Sequence, residues 1–325
     1  MKIQRIAVLT SGGDAPGMNA AIRAVVRTGV EKGWEVYGVR QGYLGLVEGD
    51  MRAYGKRDVS GIIQCGGTIL GSSRLPEFSR ESVRLTAIEN LAKRGIEALV
   101  VIGGNGSQAG AAALWKEGFP VVGVASTIDN DLIGSDPTVG VDTALNVALE
   151  AIDRIKTTAA SHRRAFLVET MGRKCGYLAL MLGIAGGAEV VVVPEFETPP
   201  DVVERELRGA YDRGKPHAIV VVAEGATFNA ERLAEYFRQT ELETGFGLRV
   251  TKLGYVQRGG VPTACDRLLG TRLGVGAVES LAKNVTGAVV GVIKDELTTT
   301  PYDEMVGKTK PLDPELFELA RVLAK

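Results

Sequence analysis

Two carboxylates one residue apart, Asp129 and Asp131 in "TIDND" (127–131), sit near glycines in a chain whose only histidines are His162 and His217. A carboxylate can take the proton of an alcohol as that alcohol attacks a phosphoryl group, so Asp129 is the best general base available. The same pentapeptide also reads as an Asx-rich turn or helix cap. Two further loops, "TSGGDAPG" (10–17) and "GGNGS" (103–107), end apolar runs in glycine, a pattern that presents backbone N–H groups to phosphate. Each alone is equally a sharp turn from strand into helix. A loop handling phosphate with Mg²⁺ is expected to carry a carboxylate, yet Asn105 brings a neutral amide.

Arginines on glycine turns add an anion-binding theme. "ETMGRKCG" (169–176) carries Arg173 and "VQRGG" (256–260) carries Arg258, with Arg164 and Arg249 elsewhere in the second half. A guanidinium can bind phosphate through two parallel hydrogen bonds, so a sugar-phosphate pocket is the reading these residues favour over solvated turns. "GGNGSQAG" also fits part of a dinucleotide fingerprint, as Gly104-x-Gly106-x-x-Ala109 with Asp129 about 25 residues on. No P-loop with a Lys-Ser/Thr ending is present.

The elements that must position these residues alternate. "IQRIAVLT", "EVYGVR", "EALVVIGG" and "PVVGVAST" read as strands. "MNAAIRAVVRTGVEKG", "ESVRLTAIENLAKRG" and "SQAGAAALWKEG" read as the helices between them. The pattern restarts after residue 140 with "DTALNVALEAIDRIKTTAASH", "RRAFLVET", "GYLALMLGIAGG", "EVVVVPE", "PDVVERELRGAYDRGK" and "HAIVVVAEG". "GLRVTKLGYVQRGG" and "GAVVGVIKDEL" read as further strands. Such alternation implies α/β architecture: two parallel-sheet domains with helices on both faces, and a cleft between them for the active site. Ligands then bind beyond the carboxyl ends of the strands, where the three glycine-bearing loops should converge.

At 325 residues the chain suits two domains, and its charge balance of −1 points to neither nucleic acid nor membrane. Its three cysteines, Cys65, Cys175 and Cys265, are too scattered for a disulfide framework or a zinc site. "MKIQRIAVLT" has too short an apolar part for a signal peptide, so the expected location is cytoplasmic.

"TSGGDAPGMNAAIR", "GYLGL", "VVIGGNGS", "TIDNDLIGSDPTVG", "EAIDRI", "MGRKCG" and "GGVPTACDR" together resemble the bacterial ATP-dependent members of the group A 6-phosphofructokinases, in order and over nearly the whole chain. The resemblance implies Mg²⁺-dependent transfer of the ATP γ-phosphoryl to the 1-hydroxyl of fructose 6-phosphate. It further implies a homotetramer whose active sites are completed across subunits. The nucleotide-binding domain is then expected over 1–140 plus about 256–305, and the sugar-phosphate-binding domain over 141–255 plus about 306–325.

By the same resemblance Asp129 matches the catalytic base, with Thr127 beside the transferring phosphoryl group and Arg173 stabilising its charge. Gly13, Tyr43, Arg74, Leu75, Gly104, Asn105, Gly106 and Ser107 match the ATP site, Asn105 at the metal-associated position. Asp131, Met171, Gly172, Glu224, Tyr255 and Arg258 match the sugar-phosphate site, with Arg164 and Arg249 reaching in from a neighbouring subunit. Arg23, Arg27, Lys56, Lys156, Glu189, Arg213 and Lys215 match an effector site where ADP activates and phosphoenolpyruvate inhibits in many members.

The chain departs from the family pattern in places. Asn105 replaces an aspartate, Ser126 a glycine, Tyr255 a histidine, and Ser79 and Cys65 arginines. Gly106 is the residue type of ATP users, and pyrophosphate users carry lysine at the position of Ser126. An active ATP-dependent kinase is the main expectation. The alternatives are a weakened or regulatory paralogue, a pyrophosphate user, or a kinase of another sugar phosphate.

Overall fold

The computed structural model describes residues 3–239 and 244–324. The chain divides into two compact units, one of Met1–Thr143 with Arg258–Lys310 and one of Ala144–Gln257 with Pro311–Lys325.

In chain order the first unit begins with β1 (Arg5–Thr10), α1 (Met18–Glu31), β2 (Glu35–Val39), α2 (Tyr43–Glu48) and β3 (Met51–Tyr54). It continues with α3 (Glu81–Lys93), β4 (Ala98–Gly103), α4 (Asn105–Lys116) and β5 (Val121–Ala125). Helix α5 (Val141–Ser161) starts in the first unit and runs into the second. The second unit holds β6 (Arg164–Thr170), α6 (Tyr177–Ala185), β7 (Val190–Val192), α7 (Pro200–Asp212), β8 (Ala218–Ala223), α8 (Ala230–Gln239) and β9 (Gly247–Lys252). The chain returns to the first unit for α9 (Ala264–Ala282), β10 (Ala288–Ile293), β11 (Glu296–Pro301) and the short α10 (Tyr302–Met305), and closes on α11 (Pro314–Leu323) in the second.

Among the described residues seven strands of the first unit form one sheet in the order β11-β10-β5-β4-β1-β2-β3. The β10-β5-β4-β1-β2 stretch is parallel, whereas β3 and β11 run antiparallel to their neighbours. The sheet is therefore mixed at both edges, where the sequence pattern implied parallel strands. The two edges arise differently: residues 40–50, which include α2, carry the chain back from β2 to β3, whereas β10 and β11 are joined by a tight reversal. Only residues 294 and 295 connect β10 to β11, both with positive φ, and such a link can make only an antiparallel pair. β1, β4 and β5 are buried along almost their whole length, as expected for strands covered on both faces.

Helix α9 went unread in the sequence. Its glycines explain both that omission and its role: a Cβ on Gly270 would lie 2.6 Å from the Gly17 carbonyl oxygen, and one on Gly274 2.6 Å from that of Ala21. Glycine lets α9 approach the backbone of α1, at the cost of a clear amphipathic period. The expected strand over 247–260 also stops early, at Lys252, and Gly254–Gln257 form a 3₁₀ turn.

The second unit's parallel sheet has the order β7-β8-β6-β9. Alternate residues feed two cores. Leu167, Val220 and Val222 pack with Val203 and Leu207 of α7 and Leu233 of α8, while Val168, Ile219 and Val221 pack with Ile152, Leu180 and Ala320. Helices thus cover both faces.

Candidate active site

In the first unit β1, β4 and β5 are adjacent and parallel, so the loops after them emerge side by side. The Ser11 N–H donates to the Ile102 carbonyl (3.1 Å), and the Ser126 N–H to that of Gly103 (3.3 Å). Gly103 has no room for a side chain, since a Cβ would lie 2.6 Å from both the Ser11 carbonyl oxygen and Ser107 Oγ. Gly104 caps α4, which carries neither a side-chain cap nor an acid in its first turn. Its leading N–H groups lack intrahelical acceptors, and the positive end of the helix dipole adds to an anion-binding character. A Cβ at Gly106 would meet nothing within 4 Å, so the helix tip is open there.

Beside this tip a cavity of about 340 Å³ is lined by Gly12, Gly13, Asp14, Thr68, Ser72, Ser73, Arg74 and Arg258. The Arg258 guanidinium lies so close over Gly13 that a Cβ would come 2.5 Å from Nη2. Leu75 precedes a 3₁₀ turn over Pro76–Ser79. Tyr43 is buried, stacks on Phe78 with centroids 4.1 Å apart, and donates its hydroxyl to the Ser107 carbonyl (2.5 Å). Burial pushes its pKa well above the usual tyrosine range.

The loop after β5 is braced from several sides. Asn130 holds a left-handed conformation (φ 52°), and its Oδ1 accepts the Thr138 N–H at 3.1 Å. The Thr138 hydroxyl donates to the Thr127 carbonyl (2.6 Å). Asn130 is therefore the turn-forming Asx residue of the pentapeptide, between the two carboxylates. Asp129 is 7% exposed, with its N–H on Thr127 Oγ1 at 3.2 Å. The Asp131 carbonyl accepts from the Lys310 N–H (2.9 Å) and from Asn105 Nδ2 (3.3 Å). The Asn105 amide thus ties the start of α4 to the loop that carries Asp129. Ser126 is fully buried and donates its hydroxyl to the Val139 carbonyl (3.4 Å).

In the second unit the carboxyl ends of β8, β6 and β9 stand in a row. After β6 come Met171, Gly172 (φ 140°) and Arg173 (φ 53°), the last an uncommon left-handed non-glycine residue. The Arg173 N–H donates to Glu224 Oε1 (2.8 Å), and the Glu224 N–H to the Thr170 carbonyl (3.0 Å). The Met171 N–H donates to Oε1 of Gln257, a fully buried side chain that sequence reading missed. Its only sequence signal was a polar residue just before Arg258.

Arg164 opens β6 while Met171 follows its end, so the two stand roughly 20 Å apart along the strand. Arg249 is level with Phe166 on the neighbouring β9, also far from the strand's carboxyl end. Within one chain neither arginine joins Met171, Gly172 and Glu224. Tyr255 is 78% exposed.

The residues matched to an effector site fall in both units. Arg23 and Arg27 lie one turn apart on α1, and Lys56 pairs with Glu31 at the end of that helix (2.5 Å). Lys215 pairs with the buried Glu189 (3.0 Å), whose other oxygen accepts the Ile219 N–H (2.6 Å). Lys156 approaches Asp153 (3.8 Å), and Arg213 caps the end of α7.

Among the described residues no group of three or more His, Cys, Asp or Glu could hold a metal ion, and no helix is long and apolar enough to cross a membrane.

Open α/β units with glycine-bearing loops at the carboxyl ends of parallel strands, and a buried carboxylate beside an uncapped helix start, define a class of proteins built to handle phosphorylated ligands. The Phosphofructokinase family profile matches residues 5–281, and the chain belongs to that family. It is 50% identical to the ATP-dependent 6-phosphofructokinase of Listeria welshimeri over 99% of this chain and 100% of that one. To the ATP-dependent 6-phosphofructokinase 1 of Thermus thermophilus it is 52% identical, with the same coverage. Among solved structures, Pichia pastoris phosphofructokinase in the T-state superposes with a TM-score of 0.88 at 37% identity. The match covers 99% of this chain and 36% of that longer one. Phosphofructokinase from Saccharomyces cerevisiae superposes with a TM-score of 0.84 at 39% identity, over 93% of this chain and 45% of that one.

Proposed function

We propose that this protein transfers the γ-phosphoryl group of ATP to the 1-hydroxyl of fructose 6-phosphate, a glycolytic phosphotransferase reaction. The observation that carries this reading is the join between phosphate site and base: the uncapped start of α4 is tied by Asn105 to the loop bearing the buried Asp129. The first α4 N–H groups, Gly13, Arg74 and the Arg258 guanidinium receive phosphate oxygens. Asp129 accepts the proton of the sugar hydroxyl as its oxygen attacks phosphorus, and Arg173 offsets the charge that builds on the transferring group. Gly172 and the left-handed Arg173, with Glu224 on the Arg173 N–H, preset that turn before substrate arrives.

The Asp131 carboxylate and the Asn105 amide oxygen, whose nitrogen is already engaged, would suit a metal held mainly by phosphate oxygens, while Asp129 keeps its role as base. Bound there together with ATP, Mg²⁺ would neutralise phosphate charge. The placement of Arg164 and Arg249 away from Met171 supports a site completed by another copy of the chain, in a tetramer. Arg23, Arg27, Lys56, Lys156, Arg213 and Lys215, with Glu189, are the basic set for ADP or phosphoenolpyruvate.

The test is a coupled assay with fructose 6-phosphate, titrating Mg²⁺ against ATP and, separately, pyrophosphate. ATP-dependent formation of fructose 1,6-bisphosphate supports the reading. Turnover with pyrophosphate alone replaces the donor, and no turnover despite ADP binding makes the chain a regulatory relative.

A further inference from the structure

The carboxylate of Asp266 has no part in the chemistry just described, yet it sits where three helices begin. It is 1% exposed, in the first turn of α9, whose N-cap Thr263 accepts the Asp266 N–H (3.3 Å). Instead of reaching back to its own helix, the side chain crosses to the start of α5. Oδ1 accepts the Gly140 N–H (2.7 Å), and Oδ2 accepts both the N–H and the hydroxyl of Thr143 (2.7 and 2.6 Å). Gly140 precedes α5 with φ 107° and has no side chain to cap it, so the cap comes from another helix. A Cβ on Gly17, the N-cap of α1, would lie 2.9 Å from the Asp266 carbonyl oxygen. Thr263 closes the arrangement with further bonds between the same two helix starts, donating its hydroxyl to Asp142 Oδ2 (2.5 Å) and its N–H to Thr143 Oγ1 (3.0 Å).

The segment that Asp266 grips is the brace of the catalytic loop. Residue by residue, Gly140 leads to Val139, whose N–H donates to the Ala125 carbonyl (3.1 Å) and whose carbonyl accepts the Ser126 hydroxyl. Thr138 comes next, bonded to the Thr127 carbonyl and to Asn130 Oδ1. An unbroken run of hydrogen bonds and three peptide units therefore links Asp266 to the residues on both sides of Asp129. Burial pushes the Asp266 carboxyl above its usual range, against the three donors that favour its charged form.

We infer that Asp266 is a positioning residue for the phosphoryl-transfer step, holding the Thr138–Gly140 brace and through it the placement of Asp129. This rests on the function proposed above. A general base displaced by about 1 Å loses on the order of 10²-fold in rate while remote binding contacts persist.

The test compares the natural protein with Asp266→Asn and the milder Thr143→Ala, which removes one of the three donors. Steady-state kinetics are read together with hydrogen exchange of the peptide spanning 126–143. The expected result for Asp266→Asn is a kcat lower by about 10²-fold, KM values for ATP and fructose 6-phosphate within about threefold, and faster exchange in 126–143. Thr143→Ala should move the same way by a smaller factor, and it carries the test should Asp266→Asn fail to fold. A lower thermal midpoint with kcat and exchange unchanged would reduce Asp266 to a structural cap and overturn the inference. If the natural protein does not phosphorylate fructose 6-phosphate, the functional reading fails by itself. The exchange measurement then still decides: unchanged protection of 126–143 overturns the brace, and faster exchange upholds it.

Discussion

Replacing Asn105 by Asp sets two opposing effects against each other at the start of α4. The swap keeps shape but removes the donor that now lies 3.3 Å from the Asp131 carbonyl oxygen, and turns a carboxylate oxygen toward that carbonyl. The lost hydrogen bond costs about 1 kcal/mol. A carboxylate in the first turn of a helix recovers about 0.3–1 kcal/mol, and its repulsion from the carbonyl consumes much of that. The metal-free protein should lose about 1 kcal/mol, or about 2–4 °C of thermal midpoint for a unit of this size. With metal the balance reverses. In water two unit charges 4 Å apart interact by about 1 kcal/mol, so a divalent ion gains about 2 kcal/mol from the new charge. The local cost is present with and without metal and cancels from the binding difference, so the Mg²⁺ half-saturation at fixed ATP should fall roughly 30-fold. The assay is a Mg²⁺ titration of turnover beside a thermal melt with and without Mg²⁺. A metal requirement that is unchanged or higher in Asn105→Asp would refute the reasoning, as would an unchanged midpoint without metal.

Two further substitutions probe other parts of the site. Gly225→Ala would place a Cβ 1.6 Å from the Arg173 carbonyl oxygen, which no side-chain rotation relieves. The Arg173 turn must move, and kcat should fall by about 10²-fold or more in steady-state kinetics; an unchanged kcat would dissociate that turn from catalysis. Glu31→Gln frees Lys56 from its ion pair, so ADP binding by calorimetry should tighten about two- to threefold, whereas unchanged binding removes Lys56 from the effector set. Lys56 holds the Glu31 carboxyl below its usual pKa of 4.5, so this pair's contribution to stability is present above about pH 4.5 and is lost as the pH falls through the lowered value. A pH titration of melting for Glu31→Gln should lack that component.

The parts of the site that sequence exposes are those made by one local stretch. The loops after β1, β4 and β5 were visible because an apolar run stops at glycine, and the strand order then sets them side by side. In "TIDND" the turn reading and the chemical reading both hold, divided between Asn130 and its flanking aspartates. What stayed hidden depends on partners distant in the chain. Asp266 and Gln257 are buried polar side chains whose donors lie 123 and 86 residues away, and no local period encodes that. Helix α9 hid because Gly270 and Gly274 serve contact with α1 and erase the amphipathic signal. The antiparallel β11 edge arises from a tight reversal that the short polar segment 294–295 does not advertise, and the β3 edge from a return through α2. Asn105 was visible as a departure, but its bond to the Asp131 carbonyl, which gives the amide a use, needed the fold.

One measurement bears on phosphoryl transfer through Asp129 above all others: turnover of ATP and fructose 6-phosphate by the natural chain and by Asp129→Asn, with binding of both substrates followed in parallel. The expected result is ATP-dependent fructose 1,6-bisphosphate formation by the natural chain, and a kcat lower by about 10²–10⁴-fold in the variant with binding retained. Turnover by Asp129→Asn within about threefold of the natural rate would contradict the assignment of the base.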